Sequence, residues 1–295
     1  MNKTNYIGWT FLAGLLLVSS CNDATDSVPQ DEIRLTSAIV PSSRSTDLHL
    51  QSTKIAENRQ VGVTITKASE VHNNKLWLAD GNGTLVNVGN PVYWRETEVT
   101  VTAYHPYRSD WTGTGQAFSV QTDQSTDDGY LDSDLLWAQT VSSQSDVPVA
   151  FNFTHKLAKV NVTLTSDDIT DLSNIIISIC GTNICTGFNS ATGILSATAT
   201  QVADIKASVT TATAYTASAV IIPQTVAKGT KFVKITYDGS DYYYTLSDAV
   251  EFKSGVSYHF QLKLSVKNGN GIGFVFDDGE MTDGETYDFT FEWAD

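Results

Sequence analysis

The chain has 295 residues, 41% of them hydrophobic, and a formal net charge of −15. That length and apolar content suit one large or two medium domains with real cores. So acidic a chain does not seek nucleic-acid phosphates; its charge fits solubility and mutual repulsion at a surface.

Residues 1–20 read as a secretory signal, with one cation (Lys3), an apolar run from Tyr6 to Val18 and small residues after it. The run is shorter than the roughly 20 residues a membrane span needs. Val18-Ser19-Ser20-Cys21 resembles a bacterial lipobox, which makes acylated Cys21 the first mature residue; the alternative is an ordinary signal with a chance Cys. Stable anchoring takes two or more acyl chains. Residues 21–44 begin as a polar, acidic tether (Asn22, Asp23, Asp26, Asp31, Glu32), like that of surface-exposed lipoproteins of Bacteroidetes-type bacteria. Within it Ile33, Leu35, Ser37 and Ile39 share one face, a pattern for a half-buried strand. Pro41 and the small polar run Ser42-Ser43-Arg44-Ser45-Thr46 follow as an exposed, cleavable segment.

The rest alternates with period two. Val61, Val63 and Ile65 fall on one face of Gln60 to Ile65, and Val99, Val101 and Ala103 on one face of Glu98 to Tyr104. Phe151 to Leu164 reads as one long strand, with Phe151, Phe153 and His155 in phase and then Val160, Val162 and Leu164. Lys231 to Tyr244 reads as a hairpin around Asp238-Gly239-Ser240-Asp241, and Val256 to Val266 as a strand with Tyr258, Phe260, Leu262 and Leu264 together. One helical turn fits Asp168 to Ile177. The texture is all-β, and short strands at this spacing suggest β-sandwiches. A boundary near Pro148 gives domains at 45–148 and 149–295. In the second, Tyr287, Phe289, Phe291 and Trp293 alternate with Asp288, Thr290 and Glu292, so four aromatics lie on one face and need a groove, or else complete their own domain.

Little in the chain promises catalysis. Cys180 and Cys185 flank Gly181-Thr182-Asn183-Ile184 and are read either as a short-loop disulfide or as two free thiols. A zinc site there lacks further ligands. The acidic loops Asp123–Asp134 and Asp277–Glu285 depart from the EF-hand pattern and read as solvated connectors rather than calcium sites. The five His (His49, His72, His105, His155, His259) form no HExxH pair, and His155 suits a structural hydrogen bond inside a strand. Trp77, Trp94, Trp111 and Trp137 are core residues or sugar-stacking platforms, with core the commoner fate of strand aromatics. No P-loop, G-x-S-x-G or G-x-G-x-x-G is present. The reading is non-enzymatic, with no cofactor and no metal.

Taken in order, several motifs resemble one family. They are the lipobox at Cys21, the leader Ile33-Arg34-Leu35-Thr36-Ser37-Ala38-Ile39-Val40-Pro41-Ser42-Ser43-Arg44, and Val101-Thr102-Ala103-Tyr104-His105-Pro106-Tyr107. Asp123-Gln124 leads on to Ser133-Asp134-Leu135-Leu136-Trp137-Ala138, then Phe153-Thr154-His155-Lys156-Leu157-Ala158-Lys159-Val160 and Ile221-Ile222-Pro223-Gln224. This order resembles the fimbrillin family of Bacteroidetes pilus subunits and covers most of the chain. The resemblance implies two tandem transthyretin-like β-sandwich domains and a lipoprotein precursor held at the outer membrane. It also implies removal of the leader strand (Ile33, Leu35, Ile39) by an Arg-specific protease, assigned here to Arg44. The opened groove then takes the C-terminal strand of another subunit, here Tyr287, Phe289, Phe291 and Trp293. The partners implied are other fimbrillin subunits and, for an adhesive fimbrium, a host or bacterial surface ligand. Alternatives are a tip adhesin, an anchor, or a monomeric glycan-binding surface lipoprotein.

Overall fold

In the computed structural model, the described residues are 31–40, 53–94, 98–111, 113, 115–143, 147–166, 171–172, 174–211, 215–266 and 274–277. They are almost entirely β. The first region comprises β1 (Leu35–Ile39), β2 (Gln60–Thr66), β3 (Val71–Ala79), β4 (Thr84–Asn87), β5 (Val99–His105), β6 (Gln116–Ser119), α1 (Asp127–Leu131), β7 (Leu136–Ser142) and β8 (Val149–His155). Seven of these strands close a barrel in the order β1-β4-β3-β2-β5-β7-β8. The alternation explains the closure. Val61, Val63, Ile65, Val99, Val101, Ala103, Phe151 and Phe153 all point inward and are fully buried, so period-two patterning places one wall of the core on each strand. β1 completes the ring, antiparallel to β4 and parallel to β8.

The second region comprises β9 (Ala158–Ser166), β10 (Ile176–Asn189), β11 (Ile194–Lys206), β12 (Ser208–Thr211), β13 (Tyr215–Ile221), β14 (Gln224–Val226), β15 (Lys231–Tyr237), β16 (Ser240–Thr245), β17 (Val250–Phe252), β18 (Ser257–Val266) and β19 (Phe274–Asp277). One sheet runs β11-β10-β15-β16 and the other β12-β13-β9-β18-β19, with β14 and β17 as a separate pair. Their shared core includes Val160, Val162, Leu164, Ala217, Ala219, Ile221, Phe232, Ile235 and Leu264. Phe232 stacks on Phe252 at a centroid distance of 5.2 Å. The β15–β16 hairpin turns on Asp238 and Gly239 with φ of 47° and 74°, the left-handed pair a two-residue turn requires.

The two cores interlock through residues 104–135. Tyr104, Trp111, Phe118, Val120, Tyr130 and Leu135 belong to the second core although they lie among the barrel strands in sequence. β6 pairs with β10, adding a first-region strand to a second-region sheet. Gln124 is fully buried; its Oε1 accepts the Val220 N–H at 2.7 Å and its Nε2 donates to the Val220 carbonyl at 2.8 Å. β12 covers β13 only as far as Ser218, and the Gln124 amide continues that edge as a strand would.

Two expectations are corrected, and of the two readings left open for Cys180 and Cys185 the free thiols are the ones found. The stretch from Phe151 to Leu164 is two strands, β8 and β9, in different sheets. Its inward residues switch from odd to even positions at the break, and a strand of period two cannot change phase without one. The change of core accordingly comes between His155 and Ala158, not at Pro148, because β8 is a barrel strand. A short helix forms over Asp127–Leu131, capped by the Thr126 side chain, which accepts from Gly129 N. Of the turn expected over Asp168 to Ile177, residues 168–170 and 173 lie outside the described residues, Ile175 N donates to Leu172 O at 3.1 Å, and Ile176 and Ile177 open β10. Cys180 and Cys185 are free thiols. Both lie on β10, and five residues of extended strand hold their Cα atoms on the order of 15 Å apart, beyond disulfide reach. Among the described residues no helix is long and apolar enough to cross a membrane.

Candidate functional site

The feature with most functional content is the cleft that β1 fills. Leu35 to Ile39 pair in parallel register with Val149 to Phe153, while Leu35 and Thr36 pair with Leu85 and Thr84. Upstream, Ile33 N donates to Val92 O at 2.7 Å and Trp94 N to Asp31 O at 2.8 Å. Ile33, Leu35 and Ile39 are buried to within 1%. Arg34 and Ala38 are exposed on the opposite face. At about 1.5–3 kcal/mol per buried aliphatic side chain, the three contribute roughly 5–9 kcal/mol before the cost of ordering. The fit is tight at one glycine. Ser37 N donates to Gly83 O at 2.6 Å, and a Cβ on Gly83, whose φ is +107°, would sit 2.9 Å from Ser37 O. Next to it, Asp80 accepts from the backbone N–H groups of Asn82 and Thr84 at 2.7 and 2.8 Å. Those bonds hold its carboxyl below the usual carboxylate range.

The remaining predicted site residues distribute as follows. Arg34 lies at the start of the paired region, its carbonyl accepting from Val149 N at 2.8 Å. Cys21, Arg44, Tyr287, Phe289, Phe291 and Trp293 lie outside the described residues. Cys180 is buried beside Asp204, and burial pushes its thiol up to about 12, with the Asp204 hydrogen bond adding to the shift. In the acidic loop, Asp123 accepts from Ser125 N at 3.0 Å. Asp128 and Asp132 face Arg59 at 2.5 and 3.7 Å, and Asp134 meets His155 Nδ1 at 2.6 Å. Among the described residues no group of three or more His, Cys, Asp or Glu is arranged to hold a metal ion. His105 is fully buried, its ring nitrogens 2.8 Å from Gln60 O and 3.2 Å from Leu131 O. Burial lowers its pKa. Trp77, Trp94 and Trp111 are buried core residues rather than sugar platforms. Trp137 is half-buried, its Nε1 donating to Ser190 O at 2.9 Å.

Sequence reasoning missed residues 92–94, which flank the start of the leader. Their signal is short but present: Val92 and Trp94 alternate inward directly after the turn residues Gly89-Asn90-Pro91.

An all-β protein with a barrel completed by one short strand defines the class. A family model described as fimbrillin-like matches residues 44–276, well over half of the chain, and the chain belongs to that family. Membership gives the coarse role, a protein of a fimbrial cell-surface appendage that meets other fimbrial subunits. Solved structures agree on the fold. A candidate cell adhesion protein from Bacteroides ovatus matches with a TM-score of 0.65 at 19% identity, covering 79% of this chain and 92% of that one. A second, from Bacteroides uniformis, matches at 0.59 and 21%, covering 83% and 96%. A fimbrial protein from Bacteroides ovatus matches at 0.50 and 14%, covering 79% of this chain and 48% of that one. No curated protein sequence matches.

Proposed function

We propose that this protein is a non-enzymatic structural subunit of a fimbrium, polymerised by exchange of the strand that closes its barrel. The precursor is acylated at Cys21 and held at the outer membrane. An Arg-specific protease cuts after Arg44 and releases β1. The strand from Tyr287 to Trp293 of another copy then fills the cleft between β4 and β8.

One observation carries the reading: β1 is held between β4 and β8 with a single inward face. Its loss exposes two rows of unpaired backbone groups and an apolar core at once, and an incoming strand relieves both. The four aromatics of the proposed donor bury more area than the leader's three aliphatics and one Ser, which gives the exchange a direction. Cleavage after Arg34 is disfavoured because that peptide bond runs into the paired strand, whereas Arg44 sits in the polar run that follows.

The test is polymerisation of protease-converted precursor, followed by gel and electron microscopy. Deleting Tyr287 to Asp295 should leave a folded subunit that caps or stalls growth; polymers as long as wild type would refute the donor role. Cys21→Ala should abolish acyl labelling, and the surface form should begin at Ser45.

A further inference from the structure

Among the described residues, the indole Nε1 groups of Trp77 and Trp94 are buried inside the barrel without a hydrogen-bond partner. Both side chains are buried, at 2% and 6% exposure. A buried indole N–H normally finds an acceptor, since leaving it unpaired forfeits its hydration.

Strand pairing places both at one end of the β1 cleft. Trp94 lies directly across from Asp31 and Val92 across from Ile33, joined by the Glu32–Tyr93 bridge. Trp77 pairs with Asn87, two residues beyond Leu85, the partner of Leu35. Trp77, Trp94 and Ile33 all belong to the barrel core, and these pairings set both Trp residues toward the end where the leader enters it. Ile33 offers them hydrocarbon only. The leader's single inward hydroxyl, Ser37, sits further along the strand.

We infer that Trp77 and Trp94 select the strand that replaces β1, favouring one with an oxygen acceptor on its inward face at the Ile33 end of the cleft. The inference rests on the strand replacement proposed above. The leader then leaves these donors unpaired and is a provisional occupant. A replacement strand with a hydroxyl in this place gains hydrogen bonds that the leader never made. On the proposed donor face of Tyr287, Phe289, Phe291 and Trp293, Tyr287 is the one residue carrying an oxygen, and its hydroxyl is the candidate acceptor.

The experiment has two arms. The first uses full-length precursor and involves no exchange. Ile33→Thr places a hydroxyl beside the indoles, and its effect on the urea unfolding midpoint is compared in wild type and in the Trp77→Phe, Trp94→Phe double variant. The Thr should cost clearly less in wild type; equal shifts in both backgrounds overturn the inference. The second arm adds synthetic peptides of residues 279–295 to protease-converted subunit. The Tyr287→Phe peptide should dissociate about five- to tenfold faster than the natural peptide from wild type, and equally fast from the double Trp variant. Equal rates from wild type overturn the assignment to Tyr287. Failure of both peptides to bind overturns the strand-exchange reading instead, while the first arm still decides whether the indoles seek an acceptor.

Discussion

Both regions join an early strand to a late one in parallel, yet the consequences differ. In the barrel, β1 runs parallel to β8 over five residue pairs. In the second region, β9 runs parallel to β18 over eight pairs and is also held by β13 over seven. β9 sits in mid-chain, in the interior of its sheet, and a chain cut on either side leaves it attached to β8 or to β10. β1 is different: it reaches β2 only through residues 40–59, so one cut in that stretch frees it from the strands that follow. The two parallel pairings differ in connectivity rather than in chemistry: one backbone cut frees β1 from the strands that follow, and no single cut does the same for β9.

The largest expected effect breaks the comparison outright. Deleting residues 31–40 removes three fully buried aliphatic side chains, each worth about 2–5 kcal/mol on truncation, a total comparable to the whole stability of a domain. Hydrogen exchange should show β2, β3, β5 and β7 losing protection while β9, β13 and β15 keep most of theirs; equal loss everywhere would mean that the cores do not act separately. Next, Phe232→Ala strikes the second core, where the ring stacks on Phe252. It should cost about 3–5 kcal/mol in urea unfolding and leave hydrogen-exchange protection of β2, β3, β5 and β7 largely unchanged.

Gln124→Ala probes the joint. Losing both hydrogen bonds to Val220 leaves a buried N–H and carbonyl unpaired, a loss of about 2–4 kcal/mol, and should raise proteolytic sensitivity around residues 121–135. A thermal midpoint within a degree of wild type would show that the amide does not act as a surrogate strand.

The pH dependence is smaller. Burial lowers the His105 pKa in the folded state, so below the unfolded value of about 6.5 the unfolded chain binds more protons. Stability therefore falls as pH drops through that range, by up to about 1.4 kcal/mol per pH unit from this group. His105→Gln should flatten that slope between pH 7 and 5. Smallest of all, Cys185→Ser or added reductant should shift stability by less than about 0.5 kcal/mol, because no disulfide joins Cys180 and Cys185.

Much of this was legible in the residues. Period-two patterning alone determined β2, β5, β18 and the β15–β16 hairpin, because a strand with one buried face writes that face into its sequence. The leader's inward residues Ile33, Leu35 and Ile39 were readable for the same reason. The break at Lys156-Leu157 was also written there, as the phase change from Phe153 to Val160, but a continuous apolar alternation hides a change of sheet. Only the tertiary structure decided which strands are neighbours. That β1 lies between β4 and β8, that Gln124 stands in for a strand beside Val220, and that residues 104–135 serve the second core are all pairings between distant segments. Alternation specifies a strand's faces and leaves its edges unspecified; edges are satisfied by whichever backbone the packing of both cores brings alongside.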